Sequence, residues 1–249
     1  MTILEARAKL TLTLRVTGVR DDGFHLIDAE MVELDLSDVL HIREFVGDGE
    51  GALVVTGPFA AGIDDGPRNL VRRALALAGR RADVRLTKRI PHGGGLGGGS
   101  ADAAAVLRWA GFTDHRAAAR IGADIPFCMV GGRARVRGIG ELVEPLPFAP
   151  RDVTLVVPPF GVSTPAVYRA WDDLAASGQR PRGVNELEDA AIMVEPRLAE
   201  WRRRIEDACG SRPILAGSGS TWWLDGHHHG LHATLDEAIV VNARTVDRL

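Results

Sequence analysis

Pro91-His92-Gly93-Gly94-Gly95-Leu96-Gly97-Gly98-Gly99-Ser100 holds six glycines and runs straight into the alanine-rich stretch Ala101–Ala110. Ahead of it, Val84–Ile90 alternates apolar and polar residues, the period of a half-buried strand, and Pro91 stops that strand. Ser100 reads as the N-cap of the helix that follows, with Asp102 in its first turn suiting the positive pole. The stretch predicts strand, glycine loop, helix N-terminus. Glycines have no Cβ, so their N–H groups can turn inward together and approach a ligand closely. The first amides of the helix lack partners and carry the positive end of its dipole. Together they read as a cradle for a chain of phosphates. A flexible linker has no reason to sit between a strand and a capped helix.

Two familiar phosphate loops do not fit. Gly93, Gly95 and Gly98 match G-x-G-x-x-G, but the acid expected about 20 residues later is replaced by Ala117-Ala118-Ala119. A P-loop needs lysine before its Ser or Thr, and here Gly99 precedes Ser100. The loop belongs to a third type.

The 249 residues suffice for one large or two modest domains. A net charge of −3 argues against a broad nucleic-acid surface, though not against a local basic pocket. Two cysteines, Cys128 and Cys209, make no disulfide framework, and Cys128 in Ile125–Val130 reads as buried. No signal pattern and no long apolar run stands out, so the expectation is a cytoplasmic chain without membrane contact.

Along the chain, Ala8–Val16 is a period-two strand. It would send Leu10, Leu12, Leu14 and Val16 one way and Lys9, Thr11, Thr13 and Arg15 the other. Asp21-Asp22-Gly23 is turn chemistry, followed by Phe24, His25 and a strand over Leu26–Leu36. Val39–Glu44 and Ala52–Thr56 read as separate short strands. Asn69–Ala78 is a short helix in which Asn69 can simply be an N-terminal residue. Phe112–Arg120 is short and alanine-rich. Asp124 precedes the apolar run Ile125-Pro126-Phe127, where an unpaired carboxylate is costly, so it needs a partner or a task. Arg133, Arg135 and Arg137 alternate with Ala134 and Val136 as a basic stripe of unassigned use. Pro145–Pro150 marks the best boundary, giving domains 1–148 and 149–249. Beyond it come a buried strand (Val153–Val157), a helix opening at Pro165, a charged helix over Leu198–Ala208 and a second glycine turn (Leu215–Thr221). Trp222 and Trp223 should face opposite sides of a strand. His227-His228-His229 reads as a surface loop rather than a metal site, since neighbouring residues share no face.

Pro-x-Gly-Gly-Gly-Leu-Gly-Gly-Gly-Ser resembles the ATP loop of the GHMP kinases, and the rest of the chain follows that family in order. Ala8-Lys9-Leu10-Thr11 is similar to its opening strand, with Thr11 where asparagine is usual. Asp22-Gly23-Phe24-His25 resembles the Asp-Gly-Tyr-His of the branch whose acceptor is 4-diphosphocytidyl-2-C-methyl-D-erythritol. Phe24 replaces the tyrosine there; its face can still stack on a base and His25 can bond the base's edge. Gly122-Ala123-Asp124-Ile125-Pro126-Phe127, Gly131–Glu141, Val162-Ser163-Thr164 and Gly217-Ser218-Gly219-Ser220 resemble further family motifs. Phe112–Arg120 is shorter than the family's usual segment.

The resemblance implies an α+β two-domain fold, an N-terminal ribosomal-protein-S5-domain-2-like half and a C-terminal ferredoxin-like half. It implies ATP and Mg²⁺, with catalytic Lys9 and Asp124. Nucleotide contacts fall to Asn69, Lys88, Pro91, Gly93, Gly94, Gly95, Leu96, Gly97, Gly98, Gly99 and Ser100, with Ser100 also the magnesium ligand. Thr11, Phe24, His25, Thr164 and Tyr168 would hold a cytidine-diphosphate-linked acceptor whose 2-hydroxyl is phosphorylated in non-mevalonate isoprenoid precursor synthesis. On its residues alone Tyr168 reads as a core tyrosine sooner than as a base-stacking one. Two alternatives stand beside this: another GHMP small-alcohol kinase, which Asp-Gly-Phe-His opposes, and a nucleotide-binding homologue of weak activity, which the presence of both Lys9 and Asp124 opposes. Oligomeric state is not legible.

Overall fold

The computed structural model describes residues 1–47, 49–179 and 183–248. Elements in chain order are β1 (Thr2–Val19), β2 (His25–Glu44), β3 (Leu53–Thr56), α1 (Leu70–Leu77), β4 (Ala82–Thr87), α2 (Gly98–Trp109), α3 (His115–Ala119), α4 (Ile125–Val130), β5 (Arg133–Gly138) and β6 (Leu142–Pro145). Then follow β7 (Asp152–Val157), α5 (Thr164–Ala176), α6 (Glu188–Val194), α7 (Arg197–Cys209), β8 (Ile214–Leu215), β9 (Trp222–Asp225), α8 (Leu231–Thr234) and β10 (Ile239–Arg244). The first sheet runs β3-β4-β2-β5-β6 with β1 paired to β2, and the second runs β10-β7-β9-β8. Helices and sheets are mixed in both, and the class is α+β.

The hub of the first sheet is β2. It pairs with β1 along its length, with β4 over Val39–Glu44 and with β5 over Ile27–Val32. The sequence expectation of two strands here is corrected to one. Ser37-Asp38 looks like a turn, yet Asp38 lies fully buried inside the strand because Arg89 and Ile90 donate their amides to its Oδ1. Those same bonds end β4 at Thr87, short of Ile90: the last amides leave the ladder for a side chain.

β1 does not keep one apolar face. Its pairing shifts between Arg7 and Lys9 and again between Thr11 and Thr13. At the first shift the extra residues lie on β2, where Leu34–Leu36 stand opposite Ala8 alone; at the second β1 carries one extra residue, Leu12, and such irregularities re-aim the side chains on either side of them. Ala6 and Leu14 therefore join the core beneath α2, while Ala8, Leu10 and Leu12 join a second core. That second core also holds Val153, Leu155, Val157 and Trp223, and so glues the two sheets together. Trp222 and Trp223 fall in different cores, on opposite faces of β9 as expected.

α2 is buried without a break from Ala101 to Leu107. Small alanines let it pack on α1, α4 and β1 at once. The basic stripe is fully answered: Arg133 bonds Glu30 at 2.7 Å, Arg135 bonds both Asp28 oxygens at 2.8 and 2.6 Å, and Arg137 reaches Glu144 at 3.2 Å. It is a cross-strand ladder rather than a free surface. Phe112–Arg120 folds as α3, capped by Asp114 Oδ1 accepting from the amide of Ala117. The rings of His227, His228 and His229 turn to Ala243 O, Asp225 O and Asn242 respectively. Among the described residues no group of three or more His, Cys, Asp or Glu could hold a metal. No helix there is long and apolar enough to cross a membrane.

Candidate active site

The glycine loop joins β4 to α2, as its sequence predicts, with one correction. The cap of α2 is Gly97, in the left-handed region at φ 69°, and no side chain among the described residues caps the helix. Ser100 sits inside the first turn and Asp102 in the second. Leaving the cap to a glycine keeps the first helical amides unmasked. None of the amides from Gly93 to Ser100 donates to an acceptor among the described residues. The loop is held instead by its carbonyls. Leu96 O accepts from Lys9 N at 3.0 Å, and Gly94 O accepts from Thr221 N at 3.2 Å. A Cβ on Gly95 would lie 2.8 Å from Gly219 O and 2.9 Å from Ala216 O. The second glycine turn thus presses directly on the first, and only glycine fits there. Asn185 shapes that turn, donating from Nδ2 to Leu215 O and Gly217 O.

Lys9 rises from β1 beside the loop; its Cγ lies 2.6 Å from where a Cβ on Gly97 would be. Its Nζ stands 3.3 Å from Asp124 Oδ2 and donates to Thr11 Oγ1 at 3.2 Å. Asp124 opens α4, with its carboxylate about a third exposed to the crevice. Asp124 thus has the partner its apolar surroundings demand.

Beneath the loop Lys88 is sealed. Its ammonium bonds Asp38 Oδ2 and, at 2.7 Å, Asp102 Oδ2. Burial pulls its pKa down, but the two carboxylates outweigh that and hold it above the usual lysine range. Burial pushes the Asp102 carboxyl up to about 7 against the pull of Lys88.

Two cavities meet here. One, of about 500 Å³, is walled by the loop from Pro91 to Gly99 except Gly94, together with Asn69, Lys88 and Asp102. Asn69 Oδ1 caps α1 by accepting from the amide of Val71, so both readings of that residue share one place. The second, of about 520 Å³, is lined by Lys9, Thr11, Asp124, Phe24, His25 and Tyr168, among others. Gly95 borders both. Thr164 lies in the second cavity and bonds Ser218 at 2.7 Å. Tyr168 is not simply core: its ring stacks on His25 with centroids 4.6 Å apart, and burial pushes its hydroxyl pKa up to about 12. Gly94 is buried against Thr221 and Val157 and lines neither cavity, and Ser100 stands in the adjoining first turn.

Sequence reasoning missed Asp38, Thr221 and Asp172, and read Asp102 only as a charge suiting the helix pole. Asp38 and Asp102 hold Lys88; Thr221 anchors Gly94; Asp172 bonds His25 Nε2 at 2.7 Å. Asp38 could have been noticed as an acid inside an apolar strand pattern. Thr221 and Asp172 carry no local signal.

Residues 69–132 match the model of the GHMP kinases N-terminal domain. The chain is 41% identical, over 96% of its length and 90% of the relative's, to a protein of Paracoccus denitrificans (strain Pd 1222) named 4-diphosphocytidyl-2-C-methyl-D-erythritol kinase. A protein of the same name from Pelotomaculum thermopropionicum is 38% identical over 96% of this chain and 92% of its own. A crystal structure of 4-(cytidine 5'-diphospho)-2C-methyl-D-erythritol kinase superposes with a TM-score of 0.75 at 31% identity, covering 98% of each chain. With the α+β fold, the paired glycine turns and whole-length likeness in agreement, the chain belongs to the 4-diphosphocytidyl-2-C-methyl-D-erythritol kinase family of the GHMP kinases.

Proposed function

We propose that the protein transfers the γ-phosphoryl group of ATP to the 2-hydroxyl of 4-diphosphocytidyl-2-C-methyl-D-erythritol, with the nucleotide in the loop-walled cavity and the acceptor in the cavity of Lys9 and Asp124. One observation carries the assignment. A run of backbone amides with no acceptor among the described residues and a lysine–aspartate pair border two cavities that share Gly95. Phosphoryl transfer asks a protein chiefly for positioning and charge compensation, and these parts supply both.

In this reading the amides of Gly93, Gly95 and Gly97 to Ser100 hold the phosphate oxygens, and Pro91, Leu96 and Asn69 shape the nucleotide's surroundings. Lys88, with its ammonium committed to two acids, supports the floor of the cavity. Asp124 takes the proton of the 2-hydroxyl as that oxygen attacks the γ-phosphorus; the bond to the β-phosphate oxygen breaks and ADP leaves. Lys9 orients Asp124 and offsets charge gathering on the transferred group. Phe24, His25 and Tyr168 grip the base of the acceptor, with Thr11 and Thr164 on its polar chain. Mg²⁺ asks for few protein ligands when phosphates supply the rest. Ser100 fits that need, because its hydroxyl bonds nothing among the described residues. The metal would supply charge neutralisation on the phosphates.

The test is ADP release in a coupled assay with the cytidylyl acceptor and, in parallel, nucleotide-free alcohols such as mevalonate and homoserine. Turnover of the cytidylyl acceptor in preference is expected. Preference for a nucleotide-free alcohol would overturn the acceptor assignment, and ATP binding without ADP release under any acceptor would overturn the reaction.

A further inference from the structure

His25 is held more firmly than a base-reading ring needs to be. It stands at the start of β2, and α5 closes on it from the side of the second sheet. Tyr168 and Asp172 lie four residues apart on α5, hence on one face of that helix. Tyr168 covers the imidazole at 4.6 Å and 30°, while Trp171 meets it edge-on at 5.8 Å and 89°. Asp172 Oδ1 lies 2.7 Å from Nε2, the one hydrogen bond the ring makes among the described residues. The imidazole is 11% exposed and the Asp172 side chain 45%. His25, Asp172, Tyr168 and Phe24 all line the acceptor cavity.

A carboxylate can only accept, so Nε2 must carry a hydrogen. In the neutral ring Nδ1 is then bare and is the nitrogen left for a ligand. A bare nitrogen selects an N–H donor. Cytosine offers one in its exocyclic amine; uracil offers a carbonyl oxygen at the same place, and two acceptors repel. We infer that Asp172 is a positioning residue that fixes the orientation and tautomer of His25, and through it the preference of the acceptor cavity for a cytosine over a uracil nucleotide. The inference rests on the acceptor reading above and adds a residue to it. Asp172 never touches the reacting atoms, and its effect belongs to recognition rather than to the chemical step.

The experiment compares wild type, Asp172→Ala and Asp172→Asn on cytidine- and uridine-diphosphate-linked methylerythritol, with ¹⁵N spectra of the histidine rings recorded on the same proteins. Asp172→Ala is expected to raise KM for the cytidylyl acceptor about tenfold with a smaller change in kcat, and to shrink the cytidine-over-uridine ratio by a similar factor. The His25 signals should move from a pure Nε2–H tautomer to a mixture. Asp172→Asn, whose amide oxygen still accepts, should keep most of the preference and the Nε2–H signal. An Asp172→Ala protein that keeps both base preference and ring spectrum overturns the inference while leaving the kinase reading intact. A wild type that ignores the cytidylyl acceptor sinks both.

Discussion

Lys9 and Lys88 are the only lysines in the chain; every other long basic side chain is arginine. Both are almost inaccessible, at 5% and 2%, and both stand within reach of the glycine loop. Their burial is alike and their surroundings are not. Lys88 has two carboxylates, Asp38 and Asp102, each as hidden as itself. Lys9 has one, Asp124, which opens to the crevice, and it shares a hydrogen bond with Thr11. Two sealed acids use up an ammonium. One half-open acid leaves charge to offer. How buried a lysine is therefore says little about its task; the exposure of its partners says more.

The contrast can be broken by mutation. Asp124→Asn should lower turnover by about 10²–10⁴, the usual cost of removing a general base, while nucleotide binding by calorimetry stays near wild type. Lys9→Met should fall with it, and the double variant should be little worse than either, since groups acting as a unit are not additive. Unchanged turnover in Asp124→Asn removes that residue from the chemistry. Lys88→Met should act on the fold instead. It strands two buried acids on one cavity floor, a loss of about 3–5 kcal/mol by denaturant unfolding. A Lys88→Met protein as stable as wild type, but inactive, would reverse the two roles.

Two neighbouring glycines sharpen the same comparison. Gly97 holds φ 69° with the stem of Lys9 against it, whereas Gly98 has ordinary backbone and a side chain there would bring its Cβ within 3.2 Å of Lys88 Nζ. Gly97→Ala should cost about 1–3 kcal/mol in strain and displace Lys9, lowering both melting temperature and kcat. Gly98→Ala should be milder on turnover. The smallest effect is chemical. An amine-directed reagent on the native protein should modify Lys9 slowly, with protection by ATP plus acceptor, and leave Lys88 untouched until denaturant is added, as read by peptide mass spectrometry. Equal labelling of the two would mean the seal over Lys88 is not there.

What the sequence disclosed follows from where the physics is local. The loop could be read because its chemistry lies in ten consecutive residues whose strand, stop and helix are written beside it. Asp124 could be read because a carboxylate in front of Pro126-Phe127 is conspicuous. The face of β1 could not: the register shifts against β2 leave no mark in the alternation, so Leu10 and Leu14 look alike and lie in different cores. The cap is misplaced by propensity, since Ser100 is a better cap than Gly97, whereas the left-handed turn at Gly97 starts the helix three residues earlier. Asp172 and Thr221 lie more than a hundred residues from the groups they hold. Only the closed chain brings them together.

The clamp on the loop also bears on protein engineering. Gly94 hangs from the amide of Thr221, and Gly95 nests against the carbonyls of Ala216 and Gly219. The decapeptide is thus cast in a mould supplied from far downstream. Transplanted alone into another scaffold it would carry its letters without its shape; a usable graft must bring Leu215–Thr221 and the Asn185 brace along with it.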